Sequence, residues 1–176
     1  KIITYDNKPI NAFFHSNSGG TTEVPLNVWG GSGYPYLQVV ETSGEDEYSQ
    51  YKSEVELTYD EILNKIKEKY QDINIDFFDD ESVKILEYTE SGRVKTIRFG
   101  NHDISGVEAR AILGLKSTNF EILKIDRKIK FSVIGYGHGV GMSQTGADSL
   151  AKQGKSSEEI IKHFYTGVEI KDVNSI

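Results

Sequence analysis

Two segments far apart in this chain carry the side chains best suited to chemistry. One is Phe14-His15-Ser16-Asn17-Ser18-Gly19-Gly20-Thr21-Thr22-Glu23, hydroxyl, amide and glycine residues bounded by a histidine and a carboxylate. The other is Gly135-Tyr136-Gly137-His138-Gly139-Val140-Gly141, with glycine at every second position. A hydrolase could take Ser16 or Ser18 as nucleophile, His15 or His138 as base, and Glu23 to orient it. Against that, there is no G-x-S-x-G elbow, and a serine in a polar loop is usually a turn former. A catalytic zinc would gather His15, His138 and Glu23. H-E-x-x-H is absent, however, the four histidines are scattered, and without cysteine no thiolate can serve as a ligand. Glu23 also has a structural reading, accepting loop amides or capping the segment that follows. The rings of Trp29, Tyr34 and Tyr36 lie among glycines and are expected to be partly exposed. They read either as core aromatics or as a platform on which flat sugar faces stack. The glycine segment satisfies neither G-x-G-x-x-G nor G-K-[ST], which excludes a nucleotide loop. On an extended chain its four glycines would share one face and Tyr136, His138 and Val140 the other. The alternative is a tight strand-to-helix crossing, where glycine relieves crowding.

These segments need a scaffold, and the patterning supplies one. Residues 1–5 and 10–15 read as a hairpin around Asp6-Asn7-Lys8-Pro9, and 37–41 as a further strand. Thr58-Tyr59-Asp60-Glu61 is a capping box that opens a helix with Ile62, Leu63, Ile66 and Tyr70 on its apolar face. Residues 83–88 and 94–99 alternate around Glu90-Ser91-Gly92 as a hairpin. Ser105-Gly106-Val107-Glu108 is a second capping box, for a helix that Gly114 ends. Strands follow at 120–125 and 130–134. Ser143 caps a helix to about Lys152, closed by Gly154. Ser156-Ser157-Glu158-Glu159 opens a last helix with Ile160, Ile161, Phe164 and Tyr165 inward and Gly167 as its stop. His102 and His163 read as surface or cap residues. The expected class is α+β: a mixed, strand-rich core of residues 1–45 and 127–176 with helices on one side, and an inserted helix, hairpin, helix, strand sub-domain over 46–126.

Composition narrows the function. The 176 residues carry 27 Asp plus Glu against 20 Lys plus Arg, for a formal charge of −7. With no basic cluster, the chain is not built to wrap nucleic acid, whose phosphates demand a concentrated positive face. Nineteen aromatics and frequent Ile, Leu and Val set it apart from disordered chains. At this length the core needs neither disulfide nor structural metal. No apolar run approaches the roughly 20 residues of a membrane-spanning helix. The opening Lys1-Ile2-Ile3-Thr4-Tyr5 reads as a strand rather than a leader, so a partial chain is expected.

The two chemical segments, the second continued through Met142-Ser143-Gln144-Thr145-Gly146-Ala147, closely resemble the signatures of the stage II sporulation protein D family, which includes the amidase enhancer LytB. Val28-Trp29-Gly30, Tyr34-Pro35-Tyr36-Leu37, Ser91-Gly92-Arg93-Val94, Ala109-Arg110-Ala111-Ile112-Leu113-Gly114 and Ser117-Thr118-Asn119-Phe120 resemble its intermediate landmarks in order. The resemblance implies a peptidoglycan lytic transglycosylase that cleaves peptide-free glycan between N-acetylmuramic acid and N-acetylglucosamine, leaving 1,6-anhydro ends, in septal thinning and engulfment. The alternative is a noncatalytic wall-binding amidase enhancer. In the family the catalytic glutamate precedes the polar loop, so no residue here is expected to be the acid, with Glu23 the runner-up. Substrate binding is expected from His15, Ser16, Asn17, Ser18, Gly19, Gly20, Trp29, Tyr136, Gly137, His138, Gly139, Ser143 and Gln144. In that reading Ser16, Asn17 and Ser18 bond sugar hydroxyl and acetamido groups, while Tyr136 and His138 contact a sugar or orient the acid. No cofactor is expected, zinc being the alternative. The implied partners are glycan strands, an amidase and a membrane protein. The implied location is outside the cytoplasm, anchored through an N-terminal segment at the sporulation septum and engulfing membrane.

Overall fold

The chain first folds back at Asp6 and Asn7, whose φ angles are 48° and 60°. Asp and Asn tolerate this left-handed backbone, which suits a two-residue hairpin turn. The hairpin is therefore tighter than expected. Strand β1 (Ile2–Tyr5) pairs with β2 (Lys8–Pro9), while residues 10–13 lie outside any strand. Pro9 is tolerated because β2 is an edge strand. Phe14 and His15 form β3 (Phe14–His15), which belongs to a different sheet. Helix α1 (Pro25–Trp29), unanticipated from sequence, starts with proline in its first turn, where the missing N–H costs nothing. The expected strand at 37–41 is absent except for a bridge between Thr21 and Glu41. Thr22 serves that stretch instead: its Oγ1 accepts from Val40 N at 2.9 Å and its own N donates to Val40 O at 3.0 Å.

In this computed structural model, which describes residues 1–173, the chain forms two compact units. The second unit is continuous, Lys52–Ile134, and interrupts the first. Its limits fall later than the 46–126 read from sequence because residues 128–134 pair throughout with 52–58, while Tyr48 donates to Asp148 Oδ2 at 2.6 Å within the first unit. It holds β4 (Lys52–Thr58), α2 (Tyr59–Lys67), β5 (Val83–Tyr88), β6 (Val94–Phe99), β7 (His102–Ser105), α3 (Gly106–Leu113), β8 (Phe120–Ile125) and β9 (Lys128–Ile134). Two antiparallel sheets result, ordered β4-β9-β8 and β5-β6-β7. Strands β4 and β7 carried too few consecutive apolar residues to be read in advance. The Thr58–Glu61 capping box forms in full. The Ser105 box forms only in part, because Glu108 turns to Tyr70 Oη at 2.7 Å and to Lys69 rather than back to the cap amide. Ile62, Ile66, Ile97, Phe99, Ala109, Ile129, Phe131 and Val133 are fully buried together. Tyr70 lies past the end of α2 but packs against this core.

Returning to the first unit, β10 (Met142–Ser143) runs parallel to β3. Helices α4 (Gln144–Lys152) and α5 (Ser157–Phe164) follow, then β11 (Glu169–Lys171), which pairs with β1. Ser156 and Glu159 cap α5 reciprocally. The inner face of α5 buries Ile160 and Phe164 with Tyr165, Val168, Val140, Leu37 and Tyr36, each full burial being worth about 1.5–3 kcal/mol. Small sheets beside helices make the fold α+β.

Candidate functional site

The polar loop and the glycine segment, more than a hundred residues apart, run side by side in the first unit. Met142 N donates to Phe13 O at 3.0 Å, Asn17 and Tyr136 exchange backbone bonds of 3.0 and 2.8 Å, and Glu23 N donates to Gly139 O at 2.8 Å. Tyr165 Oη also reaches Phe13 O, at 2.8 Å. The glycine segment is not the extended ribbon expected. Gly135, Gly137, Gly139 and Gly141 all have positive φ, at 82°, 119°, 84° and 73°, so their glycines are not aligned on one pleated face. Three positions are also dictated by closeness. A Cβ on Gly141 would lie 2.1 Å from Phe13 O, one on Gly137 would lie 2.8 Å from His15 Cβ, and one on Gly135 would lie 2.9 Å from Asn17 O. Glycine lets the two segments meet backbone to backbone.

Beneath them lies a carboxylate that the sequence reading did not single out. Glu45 is 1% exposed. One oxygen, Oε1, accepts from Ser18 N at 3.1 Å, from Thr145 Oγ1 at 3.0 Å and from Ser143 Oγ. Oε2 accepts from Ser18 Oγ and Thr42 Oγ1, both at 2.5 Å, and from Gly20 N at 3.0 Å. Burial alone raises the Glu45 carboxyl, but the bonds from Ser143, Ser18, Thr42 and Gly20 more than reverse this and bring it from 4.5 to about 2. A single ionised side chain thus ties the polar loop to the start of α4. Ser143 also caps that helix, its Oγ accepting from Gly146 N at 3.2 Å. The signal for Glu45 was Thr42-Ser43-Gly44-Glu45, a threonine and glutamate at capping-box spacing inside an acidic run that otherwise reads as solvated surface.

The histidines meet above this anchor. His15 Nδ1 donates to Val140 O at 3.1 Å, and Val140 N donates to His138 Nδ1 at 3.1 Å. The imidazole centroids are 5.6 Å apart, and His138 lies 5.1 Å from the Trp29 ring. Ring contacts continue from Trp29 to Phe13 at 4.9 Å and from Phe13 to Tyr34 at 5.6 Å. Trp29 is 49% exposed and Tyr136 43%. Tyr34 is half-buried and Tyr36 buried, so the third expected platform ring belongs to the core.

The expected binding residues therefore separate by depth. Ser16, Gly19, Gly20, Trp29, Tyr136, Gly137, His138 and Gln144 are half-buried or exposed, whereas His15, Asn17, Ser18, Gly139 and Ser143 are buried. Asn17 bonds inward, accepting from Gly19 N at 2.9 Å and donating to Glu45 O at 3.3 Å. Glu23 is 2% exposed, and its Oε1 accepts from Val24 N at 2.8 Å and Asn27 Nδ2 at 2.9 Å, at the start of α1. Among the described residues no three His, Asp or Glu side chains gather as a metal set. His102 bonds Asp72 at 2.9 Å and His163 bonds Glu41 O at 2.9 Å. Among the described residues no helix is long and apolar enough to cross a membrane.

No protein-family model matches the chain. It is 35% identical to stage II sporulation protein D of Bacillus amyloliquefaciens over 176 residues, 99% of this chain and 49% of that protein. Against stage II sporulation protein D of Bacillus subtilis it is again 35% identical, over 99% of the chain and 49% of the relative. The amidase enhancer of Bacillus subtilis is 28% identical across 97% of the chain and 31% of its own length. The chain spans about half the length of the sporulation proteins it matches. Along its whole length, then, it is a homologue of stage II sporulation protein D, with the amidase enhancer as a further relative.

Proposed function

We propose that this chain acts on the cell wall in sporulation, as the glycan-holding part of a peptidoglycan lytic transglycosylase. One observation carries the reading: the two segments that resemble the family's signatures are hydrogen-bonded together beside a half-exposed tryptophan. Trp29 offers a stacking face with His138 beside it, and Ser16, Tyr136 and Gln144 are the further polar side chains of the two segments that reach the surface. Ser18, Asn17 and Ser143 act one layer deeper, holding the loop on Glu45 rather than touching sugar.

The reaction breaks the bond between muramyl C1 and the bridging oxygen. An acid protonates that oxygen, the muramyl 6-hydroxyl bonds to C1, and its proton passes to the conjugate base. The acid must be kept protonated by a poorly solvated setting. Glu23 does not suit this role, since its carboxylate already accepts an amide of the following helix and the Asn27 side chain. In this reading the family resemblance assigns the acid to a part of the parent protein outside these residues, and with it any anchor at the septal or engulfing membrane. An amidase and a membrane protein are the partners in this reading.

Likeness to the amidase enhancer favours a second reading, a wall-binding module that stimulates an amidase without cleaving glycan. Mass spectrometry of peptide-free glycan incubated with the full-length parent and, in parallel, with this chain separates the two. Anhydromuramyl products from the parent alone support the first reading. Products from the short chain would return the acid to Glu23, and none from either would favour the enhancer.

A further inference from the structure

The backbone of Val140 touches both histidines, its N–H bonding one and its C=O the other, and their chemistry fixes the protons. A backbone N–H can only donate and a carbonyl can only accept. His138 must therefore present a lone pair at Nδ1 to Val140 N, and His15 must carry a proton at Nδ1 for Val140 O, each at 3.1 Å. A neutral imidazole bears a single N–H. The backbone N–H and C=O of one residue thus set opposite tautomers on rings 5.6 Å apart: Nε2–H on His138 and Nδ1–H on His15.

We propose that His138, held by Val140 as its Nε2–H tautomer, is the hydrogen-bond donor that recognises the N-acetyl carbonyl of a sugar stacked on Trp29. This rests on the glycan reading above and narrows it. The His138 and Trp29 rings lie 5.1 Å apart and tilted by 55°, so a sugar on the indole sits next to the imidazole. A hydroxyl can donate or accept and would satisfy either tautomer, whereas a carbonyl only accepts and requires the one set here. A neutral His138 in this state has no lone pair at Nε2, so it selects ligand rather than acting as a base. It is a recognition residue, and His15 with Val140 positions it.

Two measurements on the 176-residue chain test this. Long-range proton–nitrogen NMR of histidine-labelled protein at pH 8, above the usual imidazole range, should show His138 protonated at Nε2 and His15 at Nδ1. Fluorescence of Trp29, the single tryptophan, then follows titration with the β-1,4 trimers of N-acetylglucosamine and of glucose, neutral probes that differ in the 2-acetamido group. The acetylated trimer should bind about tenfold tighter, the worth of one hydrogen bond. His138→Asn, whose Oδ1 can still accept from Val140 N but which lacks the distal donor, should bring that preference close to one. His138→Gln, which restores a distal N–H, should keep it. Nδ1–H at His138, equal binding of the two trimers by the unaltered chain, or a preference that survives in His138→Asn would each overturn the proposal. Binding of neither trimer, with the tautomers as assigned, would instead sink the glycan reading beneath it.

Discussion

Glu45→Gln is the substitution that most directly probes how the site is held. The two side chains are nearly isosteric, so no cavity opens, but the acceptor geometry cannot be kept. Each carboxylate oxygen receives one backbone N–H, from Ser18 on Oε1 and from Gly20 on Oε2. Whichever way the new amide turns, its NH₂ faces a backbone donor that cannot reverse. The three bonds made by that oxygen are lost or weakened, at about 1 kcal/mol each. The fall of the Glu45 carboxyl from 4.5 to about 2 gives a second measure. At ~1.4 kcal/mol per pH unit it corresponds to ~3 kcal/mol in favour of the ionised form. Both routes predict a loss of ~3 kcal/mol at pH 7, or roughly 6–12 °C in Tm for a chain of this size. The sign with pH follows from the lowered value: this stability is present above pH 4.5 and is lost as pH falls through about 2. Calorimetry of both proteins from pH 7 to 2, with amide exchange at Ser18 and Gly20 to locate the loss, is the assay. The unaltered chain should lose its advantage over Glu45→Gln toward pH 2. A Tm within 2 °C of the unaltered chain at pH 7, or parallel pH profiles, would refute the hub argument.

Gly141→Ala should abolish the pairing of the two motif segments, because its Cβ would sit 2.1 Å from Phe13 O. Gly154→Ala, at φ 88° with nothing within 4 Å, should cost only about 1–2 kcal/mol, and urea unfolding of the pair separates clash from backbone strain. Ser156→Ala removes the acceptor of the Glu159 amide and should cost ~1 kcal/mol, seen as a Tm lower by a few degrees. Trp29→Ala should weaken retention on peptide-free glycan by about tenfold or more without lowering Tm by more than a few degrees, since the ring is 49% exposed; unchanged retention would remove Trp29 from the site.

The sequence was most legible where local chemistry decides the structure. The boxes at Thr58 and Ser156 and the cap at Ser143 mark true helix starts, because each side chain satisfies amides within its own turn. The hairpin around Glu90-Ser91-Gly92 forms because alternation and turn residues agree. It was least legible where a distant partner decides. Residues 37–41 look like a strand, but Thr22 takes up their backbone groups. The glycine repeat suggested a strand period, yet its spacing serves close approaches to His15 and Phe13. Glu45 belongs to an acidic surface run in sequence and to the buried site in space, and nothing near it in the chain announces Ser143. Whole motifs were recognisable before folding; which of their hydroxyls turn inward to Glu45 was not.

The pairing of β3 with β10 has a kinetic consequence. Met142 meets Phe14 and Ser143 meets His15 across a loop of 127 residues, which makes this contact among the most sequence-distant in the molecule. Contacts of that span form late, after the intervening chain has lost most of its freedom. The unit Lys52–Ile134 is continuous, so its own contacts can form while the ribosome still holds residues beyond Gly135. A nascent chain would then pass through a stage with a folded middle and unpaired motif ends. In pulse-labelled hydrogen exchange during refolding, protection at Ile97 and Phe131 should precede protection at Met142 and Asn17, and simultaneous protection would exclude this order.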